Sequence, residues 1–135
     1  MNPAVAPPSP HPHHEPWVGI VDDDAPLRLA IARGLRANGI CVQLFGSAED
    51  FLARQADDAP ACIVLDIRLC GLSGFDLQDA LIARGDRTPI IFITSHDGML
   101  AQTARARSTH GCLIKPFESD VLIALLRPHL RAATA

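Results

Sequence analysis

The sequence predicts a layered α/β fold, a parallel five-stranded sheet with helices packed on it, and three features of the chain predict it. Short apolar runs recur at Trp17 to Val21, Ile40 to Phe45, Cys62 to Leu65, Ile90 to Ile93 and Cys112 to Ile114. Most are uninterrupted by polar residues, as expected of strands buried on both faces. Between them lie segments whose apolar residues recur at helical spacing, and such a βα repeat builds a parallel sheet sandwiched between helices. Four of the runs also lead into a charged or hydroxyl residue, Asp22, Asp66, Thr94 and Lys115. The carboxyl ends of strands are where open α/β sheets bind ligands.

Residues 1–16 carry Pro3, Pro7, Pro8, Pro10, Pro12 and Pro16, which excludes helix and predicts a disordered or polyproline-like tail. His11, His13 and His14 could hold a metal weakly. A solvated tail is the preferred reading, because no regular element fixes their geometry. The domain proper is expected over 17–131.

The first strand, Trp17 to Val21, runs into Asp22-Asp23-Asp24. Leu27, Ile31 and Leu35 then recur every four residues, Pro26 suits a first helical turn and Asn38-Gly39 supplies a stop. Ile40 to Phe45 forms the second strand. Ser47 caps the next helix, an acid three residues on resembles a capping box, and Phe51 and Leu52 face the core. After Pro60 comes the strand ending in Asp66. Ser73 opens a third helix with Phe75, Leu77, Leu81 and Ile82, and Gly85 ends it. Ile90 to Ile93 is the fourth strand, with Thr94-Ser95 at its end. A weakly amphipathic helix from about Asp97 to Arg107 has Met99 and Leu100 as its only large apolar residues. Cys112 to Ile114 is the fifth strand, leading into Lys115-Pro116-Phe117. Ser119 caps a last helix containing Val121, Leu122, Leu125 and Leu126, which Pro128 is expected to bend or end.

Composition removes several function classes. With 135 residues the chain is one domain, able to bury about 68 per cent of its unfolded surface. Twelve basic against fifteen acidic residues, a net charge of -3, provide no basic field for nucleic acid, and direct DNA binding is not expected. Cys41, Cys62, Cys70 and Cys112 show no metal-type spacing and read as reduced, buried thiols of a cytoplasmic protein. No apolar run has membrane-spanning length, and the N-terminus is not a signal peptide.

In a parallel sheet the strand ends share one edge, so Asp22, Asp23, Asp66, Thr94 and Lys115 should meet there. Two carboxylates about 4 Å apart repel by roughly 4 kcal/mol at an effective dielectric of 20, so three acids call for a cation. Hard oxygen ligands with room for water and a phosphate describe Mg²⁺. A carboxylate beside Mg²⁺ can attack phosphorus and form an aspartyl phosphate, with Lys115 and Thr94 steadying the transferred group.

Val21-Asp22-Asp23, Asp66 after a buried strand, Thr94-Ser95 and Lys115-Pro116-Phe117 together resemble the receiver domain of bacterial two-component response regulators. Phe45 to Leu52 further resembles the receivers of nitrogen-fixation-type regulators. The resemblance implies a flavodoxin-like, doubly wound sheet in the order 2-1-3-4-5, and a cis bond between Lys115 and Pro116. It implies Asp66 as phosphoacceptor, and Asp22 and Asp23 as the acidic pair that holds Mg²⁺ together with Asp66 and the Arg68 backbone carbonyl, Asp23 binding it directly. Thr94 matches the switch hydroxyl and Lys115 the phosphate-binding lysine, while Arg68 and His96 match positions that tune dephosphorylation. Implied partners are a sensor histidine kinase or phosphotransfer protein and an output partner that the sequence does not identify. A homodimer through the fourth helix, fifth strand and fifth helix is also implied.

Three departures stand out: Cys112 where the family carries a switch aromatic, Leu69-Cys70 for Met-Pro, and Ser108-Thr109 for Gly-Ala. The chain reads as a stand-alone receiver, or as a piece lacking an effector domain, and as a phosphoacceptor rather than a turnover enzyme. Two alternatives remain at this level. One is a phosphatase of the haloacid dehalogenase type with Asp22 as nucleophile, which Pro26 and the lack of a late acidic pair disfavour. The other is a degenerate receiver that only binds partners.

Overall fold

The computed structural model describes residues 15–54, 58–95 and 98–134. Five strands, β1 (Trp17–Val21), β2 (Cys41–Phe45), β3 (Cys62–Asp66), β4 (Ile90–Thr94) and β5 (Cys112–Ile114), form one sheet in the order β2-β1-β3-β4-β5. Every neighbouring pair is parallel. Helices α1 (Ala25–Ala37), α2 (Ala48–Ala53), α3 (Gly74–Ala83), α4 (Met99–Arg107) and α5 (Ser119–Thr134) follow the strands in turn. Class and order are those the sequence led us to expect.

The sheet buries a separate core on each face. Val18, Ile20, Val64, Ile91 and Ile93 pack with Ile31 and Leu35 of α1 and Leu122 and Leu126 of α5. Val21, Ile63, Leu65 and Phe92 pack with Phe51 of α2, Leu77 and Leu81 of α3 and Ala104 of α4. Successive side chains of a strand point to opposite faces, so β3 feeds Val64 to one core and Ile63 and Leu65 to the other. All three are fully buried, worth about 1.5–3 kcal/mol each. That gain offsets the several kcal/mol it costs to bury an ionisable group such as Asp66 at the strand's end.

Local chemistry sets the helix ends. The Asp24 carboxylate accepts the Leu27 N–H, Pro26 stands in the first turn, and Asn38 with left-handed Gly39 (φ 76°) closes α1. Ile40 donates its N–H back to the Leu35 carbonyl, so β2 begins one residue later than the apolar run suggests. Ser47 Oγ accepts the Asp50 N–H. The reciprocal capping box forms one helix later, between Ser73 and Asp76.

Several expectations need correction. Helix α5 continues through Pro128 to Thr134. The amide that proline lacks would have bonded the carbonyl of Ala124, which lies on the exposed side of the helix where water can serve it. Ser119 is the first residue of α5 rather than its cap, and Val121 donates to the Glu118 carbonyl. Ile82 of α3 and Met99 of α4 are largely exposed, and α4 seats itself through Ala101 and Ala104. All four cysteines are free, but only Cys62 is buried; Cys70 is exposed and Cys41 and Cys112 are half-buried. The expected start of α4 at Asp97, together with His96 and the tail residues His11, His13 and His14, lies outside the described residues.

One contact fixes the loop after β3. A Cβ on Gly74 would lie 2.5 Å from the Asp66 carbonyl oxygen and 2.9 Å from Ile67 Cα, and the Gly74 N–H donates to the Ile67 carbonyl at 2.9 Å. The start of α3 therefore lies directly on the backbone that carries Asp66. Gly74→Ala is expected to cost about 1–3 kcal/mol of stability, measured by denaturant unfolding; a change below about 0.5 kcal/mol would contradict this close packing.

Candidate functional site at the carboxyl edge of the sheet

The carboxyl ends of β1, β3, β4 and β5 bring the predicted residues to one edge. Asp22, Asp66 and Thr94 are buried there, with 0%, 5% and 0% exposure, while Asp23 is exposed. Carboxylate oxygens of Asp22, Asp23 and Asp66 lie within 4.8 Å of one another. From β5, Lys115 donates its ammonium to Asp66 Oδ2 at 3.0 Å and to Asp22 Oδ2 at 3.3 Å. The Lys115 N–H also bonds the Thr94 carbonyl at 2.7 Å, which ties the end of β4 to the lysine. The Lys115-Pro116 peptide is cis, as expected.

Backbone amides complete the arrangement. The Arg68 N–H donates to Asp66 Oδ1 at 3.0 Å, and the Asp24 N–H to Asp22 Oδ1 at 2.9 Å. The Cys70 N–H reaches Asp23 Oδ2 at 3.2 Å, joining the first and third loops. Arg28 donates to the Asp22 carbonyl at 2.5 Å. Sequence reasoning missed both ties, and it missed Glu49 of α2, whose Oε2 accepts the Leu72 N–H at 3.2 Å. Glu49 packs against Gly71, which is left-handed with φ 80°, so a helix outside the site steadies the loop after Asp66. The only sequence sign of this was an acid in the first turn of a helix, which ordinarily serves the helix itself.

Burial and charge act against each other here. Burial pushes the Asp22 carboxyl up to about 6, with the Asp66 charge adding to it, against the Asp24 amide and Lys115. Burial alone would lower Lys115, but the hydrogen bond and charge of Asp66, and then Asp22, outweigh it and hold the ammonium above its usual range. The Cys70 thiol is raised by its hydrogen bond to Asp23, and Cys112 by burial, with Arg105 opposing. Three clustered carboxylates reached from the Asp23 side, with a single ammonium among them, fit a hard divalent cation with oxygen ligands and remaining waters.

A doubly wound parallel sheet with acids and a lysine at its carboxyl edge places the protein in the flavodoxin-like class. Within it, the chain belongs to the response regulator receiver domain family, whose model matches residues 18–127. Nodulation protein W of Bradyrhizobium diazoefficiens is 40% identical over 108 residues, covering 78% of this chain and 47% of that protein. Response regulator protein TmoT of Ectopseudomonas mendocina is 35% identical over 120 residues, 88% of this chain and 54% of its own length. Transcriptional regulatory protein FixJ of Azorhizobium caulinodans is 36% identical over 114 residues, 84% and 54% respectively. The chain thus spans about half the length of these relatives. The crystal structure of FixJ-N superposes with a TM-score of 0.78 at 34% identity, covering 87% of this chain and 94% of that one. A receiver protein from Burkholderia phymatum gives 0.74 at 35%, covering 87% and 96%. The likeness to nitrogen-fixation-type receivers read from Phe45 to Leu52 holds.

The Asp22 carboxyl yields a pH signature. It ionises near 3.8 when unfolded and near about 6 when folded, so between these values the folded protein holds the extra proton. Stability of the metal-free protein through this group is therefore full below about pH 4 and falls as pH rises through about 6, by about 1–3 kcal/mol. Asp22→Asn is expected to flatten that decline in denaturant unfolding followed from pH 4 to 7 with chelator; an unchanged slope would assign it elsewhere.

Proposed function

We propose that this chain is a phosphoacceptor module of a two-component pathway, taking a phosphoryl group onto Asp66 from a sensor histidine kinase or a phosphotransfer protein. The observation that carries the reading is Asp66 at the end of a buried strand, with Lys115 at 3.0 Å and the Asp22 and Asp23 carboxylates alongside. A carboxylate oxygen of Asp66 attacks phosphorus as the P–N bond of the donor's phosphohistidine breaks. The departing electron pair stays with the imidazole, which takes up a proton. Asp22, Asp23, Asp66 and the Arg68 carbonyl would hold Mg²⁺, which when bound would supply neutralising charge to the carboxylates and the phosphoryl oxygens. Lys115, just past the end of β5, compensates charge, and the Thr94 hydroxyl donates to a phosphoryl oxygen.

Phosphorylation adds about -1.5 to -2 charges, drawing Thr94 and Lys115 inward and altering the surface of α4, β5 and α5. That surface carries the exposed Met99 and Val121, and we assign to it the output partner and a homodimer. Cys112, half-buried against the core on the α3 and α4 side, replaces a bulky aromatic with a small thiol, so the readout there is muted or rerouted. The domain runs from β1 at Trp17 through α5, three residues past the expected end at 131, and we assign it to the cytoplasm; among the described residues no helix is long and apolar enough to cross a membrane. It is a phosphoacceptor, catalysing at most its own phosphorylation and dephosphorylation, and a net charge of -3 gives it no direct hold on nucleic acid. The phosphatase reading loses support from Pro26, from the lack of a late acidic pair and from the match of residues 18–127 to the receiver family. The intact acid cluster and lysine speak against a degenerate receiver.

Incubation with acetyl phosphate and Mg²⁺, followed by intact-mass analysis, is expected to give one phosphoryl adduct on the wild type, and none on Asp66→Asn or with EDTA. Labelling of Asp66→Asn together with its loss in Asp22→Asn would instead support the phosphatase. Amide shifts on adding an acyl-phosphate mimic should be large around Asp66, Thr94 and Lys115 but small across α4, β5 and α5. Cys112→Tyr should enlarge the latter; large wild-type shifts across that face would refute the muted readout.

A further inference from the structure

Away from the acid cluster, two imidazoles meet where the loop between α4 and β5 lies on α5. The rings of His110 and His129 have centroids 4.8 Å apart, with planes at 85°. Two imidazoles ligating one Zn²⁺ at about 2.0–2.1 Å and a near-tetrahedral angle have centroids about 5 Å apart. The pair already stands at chelating separation, and turning the rings from this edge-to-face arrangement is what would bring both lone pairs to a common point.

The backbone beneath the rings is held from both sides. Ser108 Oγ donates to the Gly111 carbonyl at 2.7 Å and accepts the N–H groups of Gly111 at 2.7 Å and His110 at 3.3 Å. This knot uses the hydroxyl of Ser108, one of the departures noted in the sequence. A Cβ on Gly111, whose φ is 131°, would lie 3.1 Å from Leu125 Cδ1, so the loop rests flush on α5. His129 follows Leu125 by one helical turn on the same face. Burial, with the charge of His110 adding, lowers the His129 imidazole, which favours the neutral, ligating form at pH 7.

We propose that His110 and His129 form a two-point site for a borderline divalent transition metal, Zn²⁺ in the first instance, that clips the loop between α4 and β5 to α5. Water completes the coordination. Mg²⁺ does not compete, because imidazole suits Zn²⁺, Cu²⁺ and Ni²⁺ while Mg²⁺ prefers oxygen. The loop leads directly into β5 and Lys115, so the clip stiffens the surface assigned above to output. The site itself does not depend on that assignment.

The test is a Zn²⁺ titration of the full chain in excess Mg²⁺, followed by amide and imidazole NMR signals. One saturating event is expected to move residues 108–111 and 125–131. It should weaken at least tenfold in His110→Ala and in His129→Gln, which retains a polar side chain, provided each keeps wild-type amide dispersion. It should persist in a His11→Ala, His13→Ala, His14→Ala triple variant and in Asp66→Asn. Zn²⁺ shifts confined to the tail or the acid cluster, or unchanged affinity in both single variants, would overturn the proposal.

Discussion

The Lys115 ammonium stands between two buried carboxylates, 3.0 Å from Asp66 and 3.3 Å from Asp22, and the architecture of the domain serves that contact. Carboxylates about 4 Å apart repel by roughly 4 kcal/mol at an effective dielectric of 20, and each charge taken from water costs several kcal/mol more. One ammonium compensates part of this and leaves the cluster short of positive charge. Burial first, with the Asp66 charge adding to it, holds the Asp22 carboxyl up to about 6. A site under such tension favours a divalent cation and is sensitive to any change of charge at Asp66.

Only a stiff frame can keep these groups together. The parallel sheet supplies it by delivering Asp22, Asp66, Thr94 and Lys115 from four different strands to one edge, with both faces sealed by separate apolar cores. The loops beyond the strands are then pinned by groups outside the acid cluster: Arg28 on the Asp22 carbonyl, the Cys70 amide on Asp23, Glu49 on Leu72 and Gly74 against the Asp66 backbone. By contrast, α4 presents Met99 to solvent and seats through two alanines. Arg107 steadies its far end through Gln78, Asp79 and the Phe75 ring. Rigid chemistry and a lightly seated neighbouring helix suit a module whose output is a change of surface.

Strands and site were legible in the sequence because four of the five strands are short runs with a functional residue at the end, so one pattern revealed both element and edge. Helix caps at Asp24, Ser47 and Ser73 were open to the same kind of local reading, although Asp24 stood out only within its acidic loop. The loop ties were not legible. Asp23 and Cys70 are 47 positions apart and Glu49 and Leu72 are 23 apart, and no local signal announces such partners. Pro128 misled: it does not end the helix, because the bond it forfeits is to the exposed carbonyl of Ala124, and the exposure of that residue is a tertiary fact. The cysteines misled similarly: Cys70 sits in a loop, and membership of an apolar run did not distinguish half-buried Cys112 from buried Cys62.

If three carboxylates and one ammonium act as a single electrostatic site, its members must set its affinity for a cation with opposite signs. Calorimetric titration of Mg²⁺ into Lys115→Met, Asp22→Asn, Asp23→Asn and Asp66→Asn measures this directly. Lys115→Met is predicted to bind Mg²⁺ more tightly than the wild type, and each acid variant more weakly by about tenfold or more. Mg²⁺ affinity indifferent to Lys115 and to the two buried acids would contradict the account.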